Sequence, residues 1–204
     1  MSRKDNPWTT LFVRRVYGNP WLELWEERCL DPSGQPALYG RISFHNKAVG
    51  VIPLDDQEHT WLVGQYRYCL NRYSWEIPMG GSPHPADVLE SARRELREET
   101  GLSARRWERI LFVHTSNSVT DEEGYVFTAE DLEHGDPEFE STEKIEIRRL
   151  PVMDALRMVM NGEITDALSA AGLLKLAALA VSARASGGRL LRHAAPAIIS
   201  RHAE

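Results

Sequence analysis

Between Thr10 and Tyr66, short runs of β-branched and aromatic residues alternate with turn formers. TLFVRRVY, WLELWEERC after Gly18-Asn19-Pro20, LYGRISFH after Pro32-Ser33-Gly34, AVGVIPL and TWLVGQY each have the length and make-up of a strand. From about Pro85 to Thr100 the spacing turns helical, because Leu89, Ala92 and Leu96 recur three and four residues apart and line one narrow stripe. Strand-like runs return at RILFVHTS, GYVFTAE and KIEIRRL. Two helical runs come late: VMDALRMVMNG, ended by Gly162, and TDALSAAGLLKLAALAVSARA, which Thr165 or Asp166 can cap. Strands around a helix, with helices last, predict an α+β fold built in layers. The early runs form a small strand unit over residues 1–45, ahead of a main domain over 46–181. A tail over 182–204, containing RLLRHAAPAIISRHAE, reads as a loosely held terminus.

At 204 residues the chain is long enough for one well-buried core. Its 26% charged and 42% hydrophobic residues are ordinary for a folded domain, so composition alone singles out no special class. The net charge of -6 argues against a broad nucleic-acid surface, since such binding relies on lysine and arginine displacing phosphate counterions. A polyanionic small molecule would then need local help from a divalent cation and a few arginines. MSRKDNPWTT lacks the apolar core of a signal peptide, and no run approaches the ~20 apolar residues of a membrane span. The expected location is the cytoplasm, with no membrane partner. Cys29 and Cys69 have no CxxC or Cys/His company and are expected to be buried, inert thiols. His84, His114 and His134 stand at no metal-ligand spacing.

The stretch that carries chemistry is Gly80 to Leu102, GGSPHPADVLESARRELREETGL. Either Pro85 opens the helix or Asp87 caps a later start, with Glu90 placed to complete a capping box, and Gly101 can take the left-handed turn that ends it. Glu95, Glu98 and Glu99 fall on neighbouring positions of one flank, beside the apolar stripe. Three such anions repel one another, and a hard divalent cation such as magnesium would relieve that repulsion. A bare Glu-x-x-Glu-Glu also occurs on ordinary solvated helix faces, so the rest of the run must decide.

That run resembles the Nudix signature, which reads Gly, five residues, Glu, seven residues, Arg-Glu, an aliphatic residue, any residue, Glu-Glu, any residue, Gly and an aliphatic residue. Gly80, Arg94, Glu95, Leu96, Glu98, Glu99, Gly101 and Leu102 fall at the required positions, while Ala86 stands where the signature has its first glutamate. The resemblance implies a Nudix-type α/β/α sandwich with a small N-terminal β-strand unit, and a Mg2+ site (Mn2+ being the alternative) held by Glu95, Glu98, Glu99 and the Met79 carbonyl. Arg94, one helical turn before Glu98, would fix a ligand carboxylate.

Further matches resemble the ADP-ribose and nucleoside diphosphate sugar pyrophosphatase branch of that family. QYRY implies Arg67 as a pyrophosphate grip, and WEIPMGG implies Glu76 as a substrate or metal-shell residue. NSVTDE implies Glu122 near the substrate. ESTEKIEI implies a catalytic base at Glu143, or failing that Glu140. Trp8 and Tyr39 are the expected nucleobase platform. A homodimer packed through the early strand unit is expected, with Arg41 reaching a neighbouring subunit's substrate. Arg67 and Glu76 can equally pair with each other across strands, and Glu122 and Glu143 can be plain loop charges. The expected reaction cuts ADP-ribose or a nucleoside diphosphate sugar to a nucleoside monophosphate and a sugar phosphate. Dinucleoside polyphosphates or nucleoside triphosphates are the alternative substrates. A nucleotide-sensing regulator would require a DNA-binding segment that is not visible in the sequence.

Overall fold

A computed structural model describes residues 5–138 and 144–185. The early strand runs form a sheet of their own: β1 (Thr9–Gly18), β2 (Leu22–Leu30) and β3 (Pro36–Phe44) pair antiparallel in chain order. Short polar side chains fix its turns. Asn19 Oδ1 accepts the N–H groups of Trp21 and Leu22 at 2.8 and 2.9 Å, and Asp31 Oδ1 accepts those of Ser33 and Gln35 at 2.8 and 2.9 Å.

Two further sheets make the core. In the first, β4 (Asn46–Pro53) lies between β7 (Met79–Pro83), antiparallel to it, and β9 (Glu123–His134), parallel to it, with β8 (Leu102–His114) outside β9. In the second, β5 (His59–Arg67) lies between β10 (Glu146–Pro151) and β6 (Arg72–Glu76). The period of two sorts their side chains into two clusters. Val49 and Val51 of β4, Trp61 of β5 and Phe127 and Ala129 of β9 meet α1 (Val88–Thr100) at Ala92 and Leu96. Ile52, Leu62 and Val126, from the opposite face, meet α2 (Val152–Met160) and α3 (Ala167–Ala185) at Leu156, Leu168, Leu173 and Leu176. Helices therefore cover both faces, which is the expected α/β/α sandwich. Each fully buried Leu or Ile contributes about 1.5–3 kcal/mol relative to exposure. No helix among the described residues is long and apolar enough to cross a membrane.

The N-terminal sheet runs from β3 directly into β4 and is bonded, among the described residues, to the loop between β8 and β9. Ile42 N–H donates to the Val119 carbonyl at 2.8 Å, and the Asp121 carboxylate accepts from Ser43 Oγ at 2.5 Å and Phe44 N–H at 3.1 Å.

Three expectations need correction. Cys69 is exposed and only Cys29 is buried, because Cys69 sits in the 3-10 turn Tyr68–Leu70 at the tip of the β5–β6 hairpin. β8 begins at Leu102, directly after the helix, well before the RILFVHTS run. Its charged first half is an edge extension, in which Ala104 and Trp107 pack on the α1 cluster while Arg105 and Glu108 stay exposed. Trp21, the first residue of the strand-like WLELWEERC run, falls just outside β2, which starts at Leu22, and is 68% exposed.

Candidate active site

The helix that carries the carboxylates is defined by local chemistry. Asp87 is the cap: its Oδ1 accepts Leu89 N–H at 2.7 Å, and the helix begins at Val88 rather than at Pro85. Glu90 lies in the first turn and meets Arg93 at 3.1 Å. Gly101 closes the helix at φ 72°, its N–H donating to the Arg97 carbonyl at 2.8 Å.

With the helix thus anchored, its inner flank lies on β7. Glu99 is 2% exposed and accepts Met79 N–H at 2.8 Å. Glu95 rests on the backbone of Gly80, where a Cβ would stand 2.2–2.3 Å from all three carboxylate atoms. Only glycine leaves that space open. Arg94 donates to the Gly81 carbonyl at 2.8 Å, pairs with Glu95, and stands 3.8 Å from Glu98 Oε2. Its predicted place beside Glu98 is therefore seen, with a closer contact to Glu95 that the helical spacing did not suggest.

The three glutamates do not converge on one point, and no group of three or more His, Cys, Asp or Glu side chains is gathered in a metal-holding arrangement among the described residues. Glu99 accepts Met79 N–H, while Arg94 pairs with Glu95 and lies 3.8 Å from Glu98. The donor set still suits a hard divalent ion. Carboxylate oxygens from one helical turn lie against a glycine backbone cradle that a Cβ would fill.

Arg67 and Glu76 are brought together on the second sheet. Arg67 Nε stands 3.0 and 3.1 Å from the two Glu76 oxygens, and a terminal nitrogen completes the fork on Oε2. In the strand register Glu76 is opposite Val63 and Arg67 is opposite Arg72, so the arginine side chain runs back along its own strand to make this contact. The hydrogen bond that Arg67 donates to Glu76 raises the Arg67 pKa above the ordinary arginine value, and the charges of Glu99 and Asp166 add to the effect. Cross-strand pairing, the alternative reading of these two residues, is thus realised. Glu99 and Asp166 lie near enough to act on the same guanidinium.

The remaining predicted residues are more peripheral. Glu122 accepts the Thr115 hydroxyl at the end of the loop that holds the N-terminal sheet. Tyr39 donates to the Ser118 carbonyl at 3.0 Å in that loop and meets Trp8 edge-on at 5.7 Å, so this pair rests on the same loop that ends at Glu122. Arg41 is engaged within its own chain, with Glu27 at 2.9 Å, Asp121 at 3.4 Å and the Trp25 ring at 5.7 Å. Glu140 and Glu143 lie outside the described residues.

Sequence reasoning missed the anchoring role of Asp121, and it saw Asp166 only as a helix cap. Asp166 Oδ2 accepts both Ser169 N–H and Ser169 Oγ, and Ser169 Oγ accepts Ile77 N–H, the residue after Glu76. The capping signal was legible, but the tertiary contact had none.

This helix–glycine–arginine arrangement lies inside a stretch, residues 44–168, that matches the NUDIX domain model. The chain belongs to the Nudix family. Its members generally depend on a divalent metal. The chain is 34% identical over 142 residues to the ADP-ribose pyrophosphatase of Mycobacterium tuberculosis, covering 66% of this chain and 67% of that protein. It is 31% identical over 163 residues to the ADP-ribose pyrophosphatase of Bacillus subtilis, covering 79% of this chain and 88% of that one. A crystal structure of an ADP compounds hydrolase superposes with a TM-score of 0.76 at 21% identity, covering 86% of this chain and 95% of that chain, so the Nudix fold is shared.

Proposed function

We propose that this Nudix protein hydrolyses the pyrophosphate of ADP-ribose, or of a related nucleoside diphosphate sugar, to a nucleoside monophosphate and a sugar phosphate. The observation that carries the reading is one short strip, Glu76 to Gly80. It bears the Arg67 partner at one end and, at the other, the Met79 and Gly80 backbone against which Glu99 and Glu95 lie. A group that grips a two-phosphate bridge thus adjoins a group suited to a divalent cation. The similarity to two ADP-ribose pyrophosphatases supports the same substrate class.

Magnesium is the proposed ion, with manganese as its substitute, and Glu95, Glu98, Glu99 and the Met79 carbonyl would hold it. When bound, it would stabilise negative charge building on the phosphate oxygens as water attacks and the leaving phosphate departs. Arg67, kept firmly protonated by Glu76, binds and orients the pyrophosphate. Arg94 restrains Glu95 and Glu98. Glu122 sits at the substrate's outer edge, with Trp8 and Tyr39 as the aromatic surface for the base. Glu143, or else Glu140, takes the proton of the attacking water. A homodimer joined through the N-terminal sheet is part of this proposal, with Arg41 at the rim of the neighbouring site.

The test compares ADP-ribose, other nucleoside diphosphate sugars, diadenosine polyphosphates and nucleoside triphosphates with magnesium, by kcat/KM and product identity. ADP-ribose or a diphosphate sugar should lead. A triphosphate or dinucleoside polyphosphate ahead by more than about tenfold, ~1.4 kcal/mol in transition-state binding, would overturn the substrate assignment. Glu99→Gln should remove nearly all turnover while circular dichroism stays unchanged, and wild-type turnover in that variant would sink the metal-site reading.

A further inference from the structure

The two halves of the site belong to different sheets. Arg67 and Glu76 are on β5 and β6, whereas Met79 and Gly80 are on β7, against which α1 packs. Only Ile77 and Pro78 lie between β6 and β7, so their placement sets the distance between the halves. Pro78 is held by its carbonyl, which accepts Val51 N–H at 2.8 Å. Ile77 N–H donates instead to a side chain on another element, Ser169 Oγ, at 3.1 Å. Ile77 and Ser169 are both 0% exposed, so solvent offers that N–H no substitute.

The serine is itself fixed. Its hydroxyl donates to Asp166 Oδ2 at 2.8 Å, and the same oxygen accepts its backbone N–H at 2.7 Å as the cap of α3. With its proton committed to the carboxylate, the hydroxyl presents a lone pair to Ile77. We propose that Ser169, oriented by Asp166, is a positioning residue that sets the spacing between the Arg67–Glu76 pair and the Met79–Gly80–Glu99 half of the site. This rests on the pyrophosphatase reading above.

The physical consequence is specific. In the ground state either half alone can hold the substrate, but in the transition state both must act on the same phosphate bridge at once. An error in their spacing therefore lowers kcat and leaves KM nearly unchanged. A residue that only supported the fold would lower the melting temperature and leave both constants alone at temperatures where the protein is folded.

The experiment uses Ser169→Ala and the nearly isosteric Ser169→Cys, whose sulfur is a weak acceptor, so that a failure of one to fold leaves the other. Turnover of ADP-ribose with magnesium is measured well below the melting temperature. Amide exchange is followed by NMR in the full chain without metal or substrate. We expect kcat to fall by about tenfold or more with KM within about threefold. Exchange should speed up at Ile77 and Met79 and stay unchanged at Phe127 in β9. A kcat within about twofold of wild type, unchanged exchange at Ile77, or an increase shared by Phe127 would overturn the proposal. If the wild-type chain hydrolyses neither ADP-ribose nor another nucleoside diphosphate sugar, the functional reading fails, and the exchange measurement still decides whether Ser169 holds the crossing.

Discussion

At the residue scale, Arg67 joins stability and function in one contact. Its partner Glu76 is 2% exposed, so Arg67→Ala leaves a buried carboxylate without its fork, at a cost on the order of 2–4 kcal/mol. That loss would confuse any activity measurement. Arg67→Lys is the cleaner probe, because it keeps the charge near Glu76 and removes the planar two-nitrogen geometry. It should lower kcat/KM on ADP-ribose by ~10- to 100-fold with a smaller drop in melting temperature. Unchanged kcat/KM would show that Arg67 does not grip the pyrophosphate. Asp55 reports on the fold alone. Burial pushes its pKa up, but hydrogen bonds from His59 N–H, Arg149 and Gln57 N–H outweigh this and leave it below the ordinary aspartate value. A depressed folded pKa contributes stability above the unfolded value of ~4, and the contribution is lost as pH falls through the folded value. Asp55→Asn should therefore melt below wild type at neutral pH, with the gap closing below pH ~4. A gap that stays constant on acidification would contradict this account.

At the element scale, the site depends on how closely α1 approaches β7. A Cβ at Gly80 would meet the Glu95 carboxylate at 2.2–2.3 Å, and that carboxylate is the movable end of a flexible side chain. Gly80→Ala should therefore displace Glu95 without unfolding the chain. Turnover should fall by ~10-fold or more, and more magnesium should be needed for half-maximal rate, while the melting temperature changes little. Wild-type magnesium dependence in Gly80→Ala would remove Glu95 from the metal site. The same helix shows why some elements were legible in the sequence. Asp87, the Ala92–Leu96 stripe and Gly101 are a local code for start, face and stop, and each occupies its predicted role. The β-branched runs of β4 and β5 were legible for the same reason. The first half of β8 was not, because SARRWE carries charge that suits an edge and gives no clean alternation. The division of WEIPMGG into β6 and β7 was equally hidden, since it depends on which sheets receive its two ends. Within the site, spacing placed Arg94 and the glutamates on one helix, but the donors they take up come from β7 and only the fold supplies them.

At the scale of the whole molecule, the N-terminal sheet carries apolar area that none of the other described residues covers. Every residue of β1 is exposed, including Leu11 at 60%, Phe12 at 49% and Val16 at 53%, and on the strands beyond it Leu38 is 68% exposed. Phe12 and Val13, 49% and 44% exposed, pair in regular succession with Arg28 and Glu27 and so lie on opposite faces, which means that neither face is closed. A small sheet of this kind needs a further layer to be stable, and exposed apolar area of this extent marks an association surface. The N-terminal sheet's bonds to the sandwich are concentrated on β3, through Ile42, Ser43 and Phe44, so β1 stays accessible to a second copy. A two-fold dimer would place the same patch on both partners. Arg41, side chain 36% exposed and now held by Glu27 and Asp121, is the residue proposed to reach the neighbouring chain's site. Sedimentation velocity at micromolar concentration should give a dimer, and Leu11→Glu with Val16→Glu should split it by placing charge in an apolar interface. A wild-type monomer would overturn the dimer and with it the role of Arg41. A dimer untouched by the two glutamates would instead place the interface away from β1.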